Sequence, residues 1–430
     1  MRAVIDFPAE RANDLHAQPS DAQTRWAAEP TARRLRFVRE LRHLLAENSE
    51  PLAIAVAASD DRPLTEKLVS EVLPLVDACH WLEKSAARVL ASRRPGNRGR
   101  PFWLRGFSFE VQRQPFGLVL VIGPGNYPLF LPAVHALHAL VAGNAVLLKP
   151  APGTRNIALF FAKLARDAGL DPALLTILPE SVDAAREAIA GGVDKVVFTG
   201  SSENGRDVLA DLAKTNTPAV MELSGEDAVL ILADADLDLV VRALDFGARL
   251  NNGRTCIAPR RLIVLQAVAD DLLARMANAH VPRLTIERVR DEAAAVLRAN
   301  AADFALGASI FSRDIALARS LAARIKTGFV LINDLIAPTA DPRLPFGGVK
   351  ASGFGTTRGE EGLLEMTFPH VVALRRGTSH PHFDESETRD AKIFSSYIRA
   401  VHGRRGTRFC AIRDLSGALL DKIRNRKTKS

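Results

Sequence analysis

Apolar and polar positions change their period several times along this chain, and each change predicts a different kind of element. Leucines at helical spacing from Leu35 to Leu45 predict an amphipathic helix that ends near Asn48. A second helical pattern runs from Leu64 to about Leu90, with Pro74 as a break or kink. Both helices are expected to cover a sheet and to carry no chemistry.

From residue 117 onward, short apolar runs alternate with helical patterns. Five of these runs predict strands: Gly117–Ile122, Ala145–Leu148, Leu174–Leu178, Lys195–Phe198 and Ala219–Leu223. Further strands are predicted at Ala228–Leu232, Arg261–Leu265, Ala308–Phe311 and Phe329–Ile332, with helices at 237–250 and 315–325. Strand and helix in strict turn predict an α/β fold with a parallel, doubly wound sheet, followed by a second α/β unit.

Two segments depart from this alternation. A basic connector at residues 93–101 leads into residues 102–114, which alternate as a strand does and hold Gly106 at a candidate turn. We therefore expect a hairpin that projects from the main body. Beyond residue 376 the chain is rich in His, Arg and Ser; a helix is predicted near 383–401, and residues 401–430 are expected to be weakly ordered.

Length and composition narrow the class of protein. A chain of 430 residues with 47% hydrophobic content can bury two sizeable cores in two or three domains. No secretory signal is evident in the first 18 residues, and prolines and glycines interrupt the longest apolar stretch, 117–148, so a membrane span is not predicted. We expect a cytoplasmic protein. The three cysteines are too few and too scattered for a disulfide framework, and no Cys/His spacing predicts a zinc site.

The net charge of +8 raises the question of a nucleic-acid partner. Much of the excess lies at the C-terminus, without an aromatic stacking platform or a helix-turn-helix pattern, so no nucleic-acid partner is expected. Residues 411–423 bring five apolar side chains near one helical face: Ile412, Leu415, Leu419, Leu420 and Ile423. Such a basic tail can make a peripheral contact with an anionic membrane. The alternatives, which we favour at this point, are a helix docked on a partner subunit or a frayed end.

Three strand ends carry candidate binding groups. Asn126 follows Gly123-Pro124-Gly125 and could donate its amide to an oxyanion, but this segment alone favours a helix cap. Lys149 ends another strand, where it could bind ribose or phosphate or simply be solvated. Residues 196–206 form a strand, a glycine turn and a helix start that suit a pyrophosphate; alternatively, Ser201 or Ser202 only caps that helix.

A carboxylate and a thiol follow, each beside glycine. Glu222 lies in Glu-Leu-Ser-Gly, and Cys256 lies in Asn-Asn-Gly-Arg-Thr-Cys. A carboxylate and a thiol in this order, after the strand-to-loop motifs upstream, predict covalent catalysis next to a dinucleotide pocket. The alternative is a buried structural cysteine.

These motifs, together with Pro-Phe-Gly-Gly-Val-Lys from Pro345 and Ser352-Gly353, occur in the order and nearly the spacing of the aldehyde dehydrogenase superfamily, which the chain resembles over about residues 30–375. The resemblance implies that Cys256 attacks the aldehyde, that Asn126 holds the oxyanion of the thiohemiacetal, and that Glu222 activates water to release a carboxylic acid from the thioester. It also implies NAD or NADP as cofactor, held by Ile122, Pro124, Lys149, Phe198, Gly200, Ser201, Gly205 and Leu223.

The resemblance further implies a domain plan. A dinucleotide-binding domain would comprise residues 1–97 and 116–223, and a shortened catalytic domain residues 224–364. An oligomerisation hairpin at 98–115 and an oligomerisation strand at 365–376 would pair across a subunit interface in a homodimer or tetramer. Residues 377–430 would form a basic C-terminal tail outside the resemblance.

Four departures from the family pattern stand out. No Phe-Gly-Pro occurs between Cys256 and Leu306, where the family carries a Glu that holds the nicotinamide ribose. Pro152 stands where a family Glu often binds the adenosine ribose, which makes NADP conceivable. Glu226 stands where the family's Gly-Gly-Lys usually ends, and Arg254 replaces the Gln that usually precedes the cysteine.

Two alternatives to the oxidation therefore stay open. One is a catalytically impaired relative that acts as a binding or assembly protein, which the missing segment would explain. The other is a coenzyme-A-acylating or acyl-phosphate reaction, against which Glu222 argues because neither needs an activated water. The aldehyde itself is not specified by the sequence.

Overall fold

The computed structural model of the protein describes residues 21–56, 61–277, 284–378 and 390–427, together with 380–383, 385 and 388. The first 18 residues, on which the absence of a signal was judged, lie outside this description. The described residues form two compact units, one from 1–95 and 109–372 and one from 96–108 and 373–430. Among the described helices, none combines the length and the apolar character needed to cross a membrane.

The strands are β1 Phe107–Pro115, β2 Leu118–Ile122, β3 Ala145–Lys149, β4 Leu175–Ile177, β5 Lys195–Thr199, β6 Ala219–Glu222, β7 Asp227–Ile231, β8 Pro259–Leu265, β9 Thr285–Val289, β10 Phe304–Ala305, β11 Gly307–Phe311, β12 Phe329–Ile332, β13 Val349–Lys350, β14 Gly353–Phe354 and β15 Thr367–Arg375. The α-helices are α1 Asp21–Ala28, α2 Thr31–Glu47, α3 Ser49–Ala55, α4 Leu64–Lys67, α5 Leu73–Val89, α6 Phe130–Ala142, α7 Arg155–Asp167, α8 Val182–Ala190, α9 Ser202–Leu212, α10 Leu237–Arg249, α11 Gln266–Met276, α12 Glu292–Asn300, α13 Ile315–Ala322, α14 Gly359–Leu364, α15 Asp390–His402 and α16 Arg405–Lys427.

The first sheet has the strand order β14-β6-β5-β2-β3-β4, in which only β14 runs antiparallel to its neighbour. Strands β2, β3 and β5 are almost entirely buried, which explains why they occur in the sequence as continuous apolar runs. The chain leaves β2 toward β3 and β4 and then returns to its other side with β5. The carboxyl ends of β2 and β5 therefore flank a topological switch point, where ligands bind in open α/β sheets.

The second sheet has the order β12-β11-β7-β8-β9, with every neighbouring pair parallel. Its strands were predicted except β9, which is largely exposed. The doubly wound parallel sheet and the second α/β unit predicted from the sequence are thus confirmed.

The kink expected at Pro74 takes the form of a π-helical turn. Leu68–Val72 is π-helical, and the N–H of Leu73 donates to the carbonyl of Leu68, five residues back. Proline has no N–H to offer to the carbonyl of Ser70, so the helix widens just before it.

The hairpin predicted at 98–115 is wrong. Residues Phe102–Leu104 form a 3₁₀ turn, Gly106 adopts a left-handed conformation, and the rest of the segment is the single strand β1. Strand β1 pairs with β15 of the same chain, more than 250 residues further on. The alternation correctly indicated a strand, but the sequence did not reveal so distant a partner.

The C-terminal tail is also more structured than expected. Helix α15 lies in the region predicted to be helical, and α16 occupies most of the segment expected to be weakly ordered. The two helices pack against each other. Side chains from Lys422 onward, including that of Ile423, lie outside the described residues.

Candidate active site

One cavity of about 620 Å³ opens at the carboxyl ends of β2, β5 and β6 and extends to the loop before β8. Ten of the eleven predicted site residues line it: Ile122, Pro124, Asn126, Lys149, Phe198, Gly200, Ser201, Glu222, Leu223 and Cys256. Gly205 is not among the lining residues. It lies behind the wall, where a Cβ would come within 2.6 Å of the Leu223 side chain. The structure thus gathers the predicted residues, while their individual roles stay predictions.

Two asparagines join the turn after β2 to the cysteine loop. The Nδ2 of Asn126 donates to the carbonyl of Arg254 at 2.9 Å, and the Nδ2 of Asn251 donates to the carbonyl of Asn126 at 2.7 Å. Helix α6 begins without a side-chain cap, so the capping role considered for Asn126 is wrong. Because an amide nitrogen carries two hydrogens, Asn126 keeps one for a ligand.

The cysteine loop owes its shape to left-handed backbone. Asn251, Asn252 and Gly253 have φ values of 51°, 52° and 69°, a conformation that asparagine and glycine tolerate best. The loop is held from both sides: the hydroxyls of Tyr127 and Thr255 lie 2.6 Å apart, and the guanidinium of Arg254 donates to the backbone carbonyl and the side-chain oxygen of Asn251. Arg254 therefore has a structural part in shaping the loop that carries Cys256.

Glu222 is the last residue of β6, and its backbone is fixed on both sides. Its carbonyl accepts from the N–H of Gly200 at 3.0 Å, and the next residue, Leu223, donates to the carbonyl of Ser352 at 3.1 Å. The hydroxyl of Ser352 in turn donates to the carbonyl of Ser224. The Ser-Gly motif recognised in the sequence thus holds the segment that carries the carboxylate.

The carboxylate of Glu222 is buried and only partly satisfied. Oε2 accepts from the hydroxyl of Thr357 at 3.5 Å, whereas Oε1 has no partner among the described residues. Burial raises the pKa of Glu222, which the charge of Arg358 opposes. A buried oxygen that faces a cavity without a partner is suited to bind a proton or a water molecule.

Cys256 is half-buried between two carboxyl groups and one cation. Burial raises the pKa of its thiol, the charges of Glu222 and Asp227 raise it further, and Arg358 and the N–H of Ile257 lower it. Burial also raises the pKa of Asp227 to about 7. The thiol is therefore protonated at neutral pH and needs a base to ionise.

Arg358 is a buried residue of this site that the sequence analysis missed. It precedes α14 with φ of 61°, donates to the carbonyl of Thr339, and stacks on the ring of Phe346 at 4.4 Å. Its charge acts on both Glu222 and Cys256. Nothing in the sequence distinguishes this arginine from a surface one, because its burial depends on the packing of three distant segments.

The other end of the cavity has the features of a dinucleotide site. Ser201 caps α9 by accepting from the N–H of Asn204, so the capping role considered for it is confirmed. The start of α9, with Gly200 and Asn204, still faces the cavity and offers the positive end of the helix dipole. Lys149 is buried, so it is not the solvated strand end considered as an alternative, and burial lowers its pKa.

The walls of that end fit a nucleotide. Val182, Ala185, Ile189 and Val208 from α8 and α9 form an apolar slot. Gly200 lets the ring of Phe198 pack against the turn, because a Cβ there would lie 2.7 Å from that ring. The buried hydroxyl of Thr199 lines the cavity without a hydrogen-bond partner among the described residues. Apolar walls, a helix start and an unpartnered donor together suit NAD or NADP.

The described part of the interval between Cys256 and β11 holds β8, α11, β9, α12 and β10, and its sequence lacks the Phe-Gly-Pro that the family resemblance leads one to expect there. Pro152 lines the cavity close to Lys149, so no carboxylate stands at position 152.

Comparisons with known proteins place the chain. The sequence profile of the aldehyde dehydrogenase family matches residues 3–281 and 278–372. The chain is 30% identical to a 4,4'-diapolycopene aldehyde oxidase of Methylomonas sp, covering 88% of this chain and 84% of that protein. It is 28% identical to an NADP(+) succinate-semialdehyde dehydrogenase of Deinococcus radiodurans, covering 86% and 92%. A Mycobacterium tuberculosis aldehyde dehydrogenase complexed with NAD+ has a similar fold, with a TM-score of 0.78, 23% identity and coverage of 87% and 92%.

The comparisons also agree with a shortened chain. The profile match is in two pieces that meet at 278–281, within the interval between Cys256 and β11. The Methylomonas alignment spans 450 positions but covers 88% of 430 residues, about 378, so about 70 positions are gaps in this chain. With the profile matching most of its length and a relative at 30% identity, the chain belongs to the aldehyde dehydrogenase family.

Proposed function

We propose that this protein oxidises an aldehyde to the corresponding carboxylic acid with NAD+ or NADP+, through a covalent intermediate on Cys256. The observation that carries the proposal is the shared cavity: the thiol of Cys256, the amide of Asn126 and the carboxyl group of Glu222 line the same space as the start of α9. Gly200, Lys149 and the apolar slot between α8 and α9 would hold the cofactor, which supplies the hydride acceptor when bound.

The first step is ionisation of the thiol. Glu222 is the candidate base because it shares the cavity with Cys256, and its raised pKa allows it to take the proton that Cys256 releases. The positive charge of Arg358 stabilises the anionic forms of both Glu222 and Cys256. The thiolate then adds to the carbonyl carbon, and the carbonyl electrons move to oxygen. The free hydrogen of the Asn126 amide and the backbone N–H of Cys256 would stabilise that oxyanion.

The second step is release of the acid. Loss of hydride converts the thiohemiacetal to a thioester, and water must then attack its carbonyl carbon. Glu222, once it has released the thiol proton to solvent, would take a proton from that water, and the Cys256 thiolate would leave as the carboxylic acid forms. The unpartnered Oε1 of Glu222 supports this role because it can accept a hydrogen bond from water.

The substrate and the cofactor preference are tested together. Relatives are named for a long apolar aldehyde and for an anionic one, so both kinds are suitable test substrates. We expect one reduced cofactor per molecule of free acid with at least one of them, and use of NADP+ as well as NAD+ because position 152 lacks a carboxylate.

The control is Cys256→Ala, for which neither product should form. Acyl-CoA in place of free acid when coenzyme A is added would instead indicate the acyl-transfer alternative. Absence of cofactor reduction across apolar, anionic and aromatic aldehydes would contradict the proposal and favour the impaired relative.

A further inference from the structure

The net positive charge of this protein comes from its second compact unit, residues 96–108 and 373–430. These residues hold seventeen Lys and Arg and six Asp and Glu, a formal charge of +11. The rest of the chain therefore carries −3, since the total is +8. A field of one sign on a single small unit attracts a partner of opposite charge.

The two helices of this unit bury small residues and expose large apolar ones. Ser396 of α15 and Ala411 and Ala418 of α16 are buried. Seven large apolar side chains of the same helices are exposed: Phe394 61%, Ile398 57% and Val401 43% on α15, and Phe409 85%, Ile412 52%, Leu419 43% and Leu420 66% on α16. Ile393, Tyr397 and Leu415 are half-buried. A helix pair in water normally buries its large apolar residues, so this unit presents an apolar surface to its surroundings.

The exposed residues form stripes. Phe394, Ile398 and Val401 follow the i, i+4, i+7 spacing of one helical face, opposite Ser396. At ~100° per residue, Phe409 and Leu420 likewise lie opposite Ala411 and Ala418, with Ile412 at the edge of the same stripe.

Cations accompany the apolar stripe of α16. Arg405, Arg408 and Arg413 are exposed on this helix, and Arg404 precedes it. Asp414 and Asp421 fall on another side of the helix from Phe409 and Leu420. Apolar side chains interleaved with arginines, with acidic groups turned away, match the boundary between lipid head groups and acyl chains.

Residues 96–108, the other segment of this unit, also expose large apolar side chains beside arginines. Phe102 and Trp103 are 58% and 65% exposed, between Arg98 and Arg105, and the guanidinium of Arg105 lies 4.2 Å from the Phe102 ring centre. Tryptophan and arginine both favour the membrane interface, where one part of the side chain is apolar and the other polar.

We propose that residues 96–108 and 373–430 bind the surface of a lipid bilayer that contains anionic lipid. A second copy of this chain fits the surface poorly, because it would bring a second charge of +11 against the first. A nucleic acid would satisfy the arginines but would leave Ile398, Ile412 and Leu420 exposed. The inference does not depend on the chemistry of Cys256.

The test is co-sedimentation of the full-length protein with phosphatidylcholine vesicles, with and without phosphatidylglycerol. We expect binding to the anionic vesicles only, weakened by salt. Phe409→Ser/Ile412→Ser/Leu420→Ser should lower the partition coefficient at least ~10-fold because three apolar contacts are lost. Arg405→Glu/Arg413→Glu should lower it by ~5-fold or more for each reversed charge.

The matched control is Ile54→Ser/Leu297→Ser, which removes apolar groups that are 68% and 70% exposed in the first unit and should leave binding unchanged. Thermal unfolding should be alike for all variants, since each changed side chain is exposed. Equal binding by wild type and the triple variant, or no binding to anionic vesicles, would overturn the proposal. The proposal would also be overturned if wild type bound no vesicles and light scattering gave the triple variant a lower molecular mass than wild type.

Discussion

At the scale of single residues, the site depends on hydrogen bonds that tie separate segments together. The side chain of Asn126 donates to the carbonyl of Arg254, and the side chain of Asn251 donates to the carbonyl of Asn126, so two hydrogen bonds join the turn after β2 to the cysteine loop. The sequence indicated Asn126, Glu222 and Cys256 because their neighbours are distinctive. It could not indicate Arg358, Asp227 or the hydrogen bond of Asn251, because these depend on which segments meet in space.

Asn126 is the first residue to test, through its side-chain amide. Asn126→Ala should lower kcat by about 10²–10³ because one donor to the oxyanion is lost. Asn126→Asp keeps the shape but replaces the donor with a negative charge, and it should lower kcat further. Steady-state kinetics with a soluble aldehyde measures both. An unchanged kcat in Asn126→Ala, in a protein with normal thermal stability, would exclude the amide from the reaction.

Arg358 should act as a positioning residue through charge. Arg358→Met removes the buried cation, so the pKa values of Glu222 and Cys256 should rise further. The rising limb of the plot of activity against pH should then move to higher pH by on the order of one unit. Arg358→Lys keeps the charge and should restore most of the profile. A variant that loses activity equally at every pH would show that Arg358 only supports packing against Phe346.

At the scale of elements, the sequence predicted the buried strands closely and the exposed ones poorly. Strands β2 to β6 lie within one residue of the predicted ends. All of them except β4 are mostly buried, and strands buried on both faces are continuous apolar runs. The 3₁₀ turn and strand β1 were taken for a hairpin, since strand alternation does not identify the partner β15. A helical face was noted at 411–423, but the extent of α16, Arg405–Lys427, was not predicted, because most of its large apolar residues are exposed and do not mark a buried face.

Helix α6 carries two buried histidines that should make the fold sensitive to acid. Burial lowers the pKa of His135 to about 3 and of His138 to about 4, and neither ring nitrogen of His135 has a hydrogen-bond partner among the described residues. Both rings are neutral in the folded chain and charged in the unfolded chain below about pH 6.5. Their contribution to stability is therefore present above pH 6.5 and is lost as the pH falls toward 4.

His135→Leu should remove one of the two rings that bind a proton in the unfolded chain but not in the folded chain. The free energy of unfolding of wild type should fall with decreasing pH more steeply than that of the variant, by about 1.4 kcal/mol per pH unit between pH 6 and 4. Denaturant unfolding at several pH values measures the difference. Buried carboxyls such as Glu71, with a pKa raised to about 7, act in the opposite direction, so the comparison with the variant is what isolates the histidine. Parallel slopes would contradict the assignment.

At the scale of the whole molecule, the chain combines an enzyme core shorter than its relatives with a basic C-terminal segment. The profile match ends at residue 372, and residues 373–430, the larger part of the second unit, follow it. We predict that the core associates as a homodimer or tetramer through β15, whose Phe368, Val371 and Val372 are exposed. Val371→Arg should lower the molecular mass measured by light scattering, and Leu297→Arg should not. A wild-type monomer at micromolar concentration would contradict this prediction.

The most direct test of the central claim is a single-turnover experiment on Glu222→Gln. With aldehyde and oxidised cofactor, this variant should form a burst of about one reduced cofactor per site and then turn over about 10²–10⁴ times more slowly than wild type. Mass spectrometry of the quenched protein should locate the acyl group on Cys256. Unimpaired steady-state turnover, or an acyl group on Cys79 or Cys410 with none on Cys256, would contradict the account.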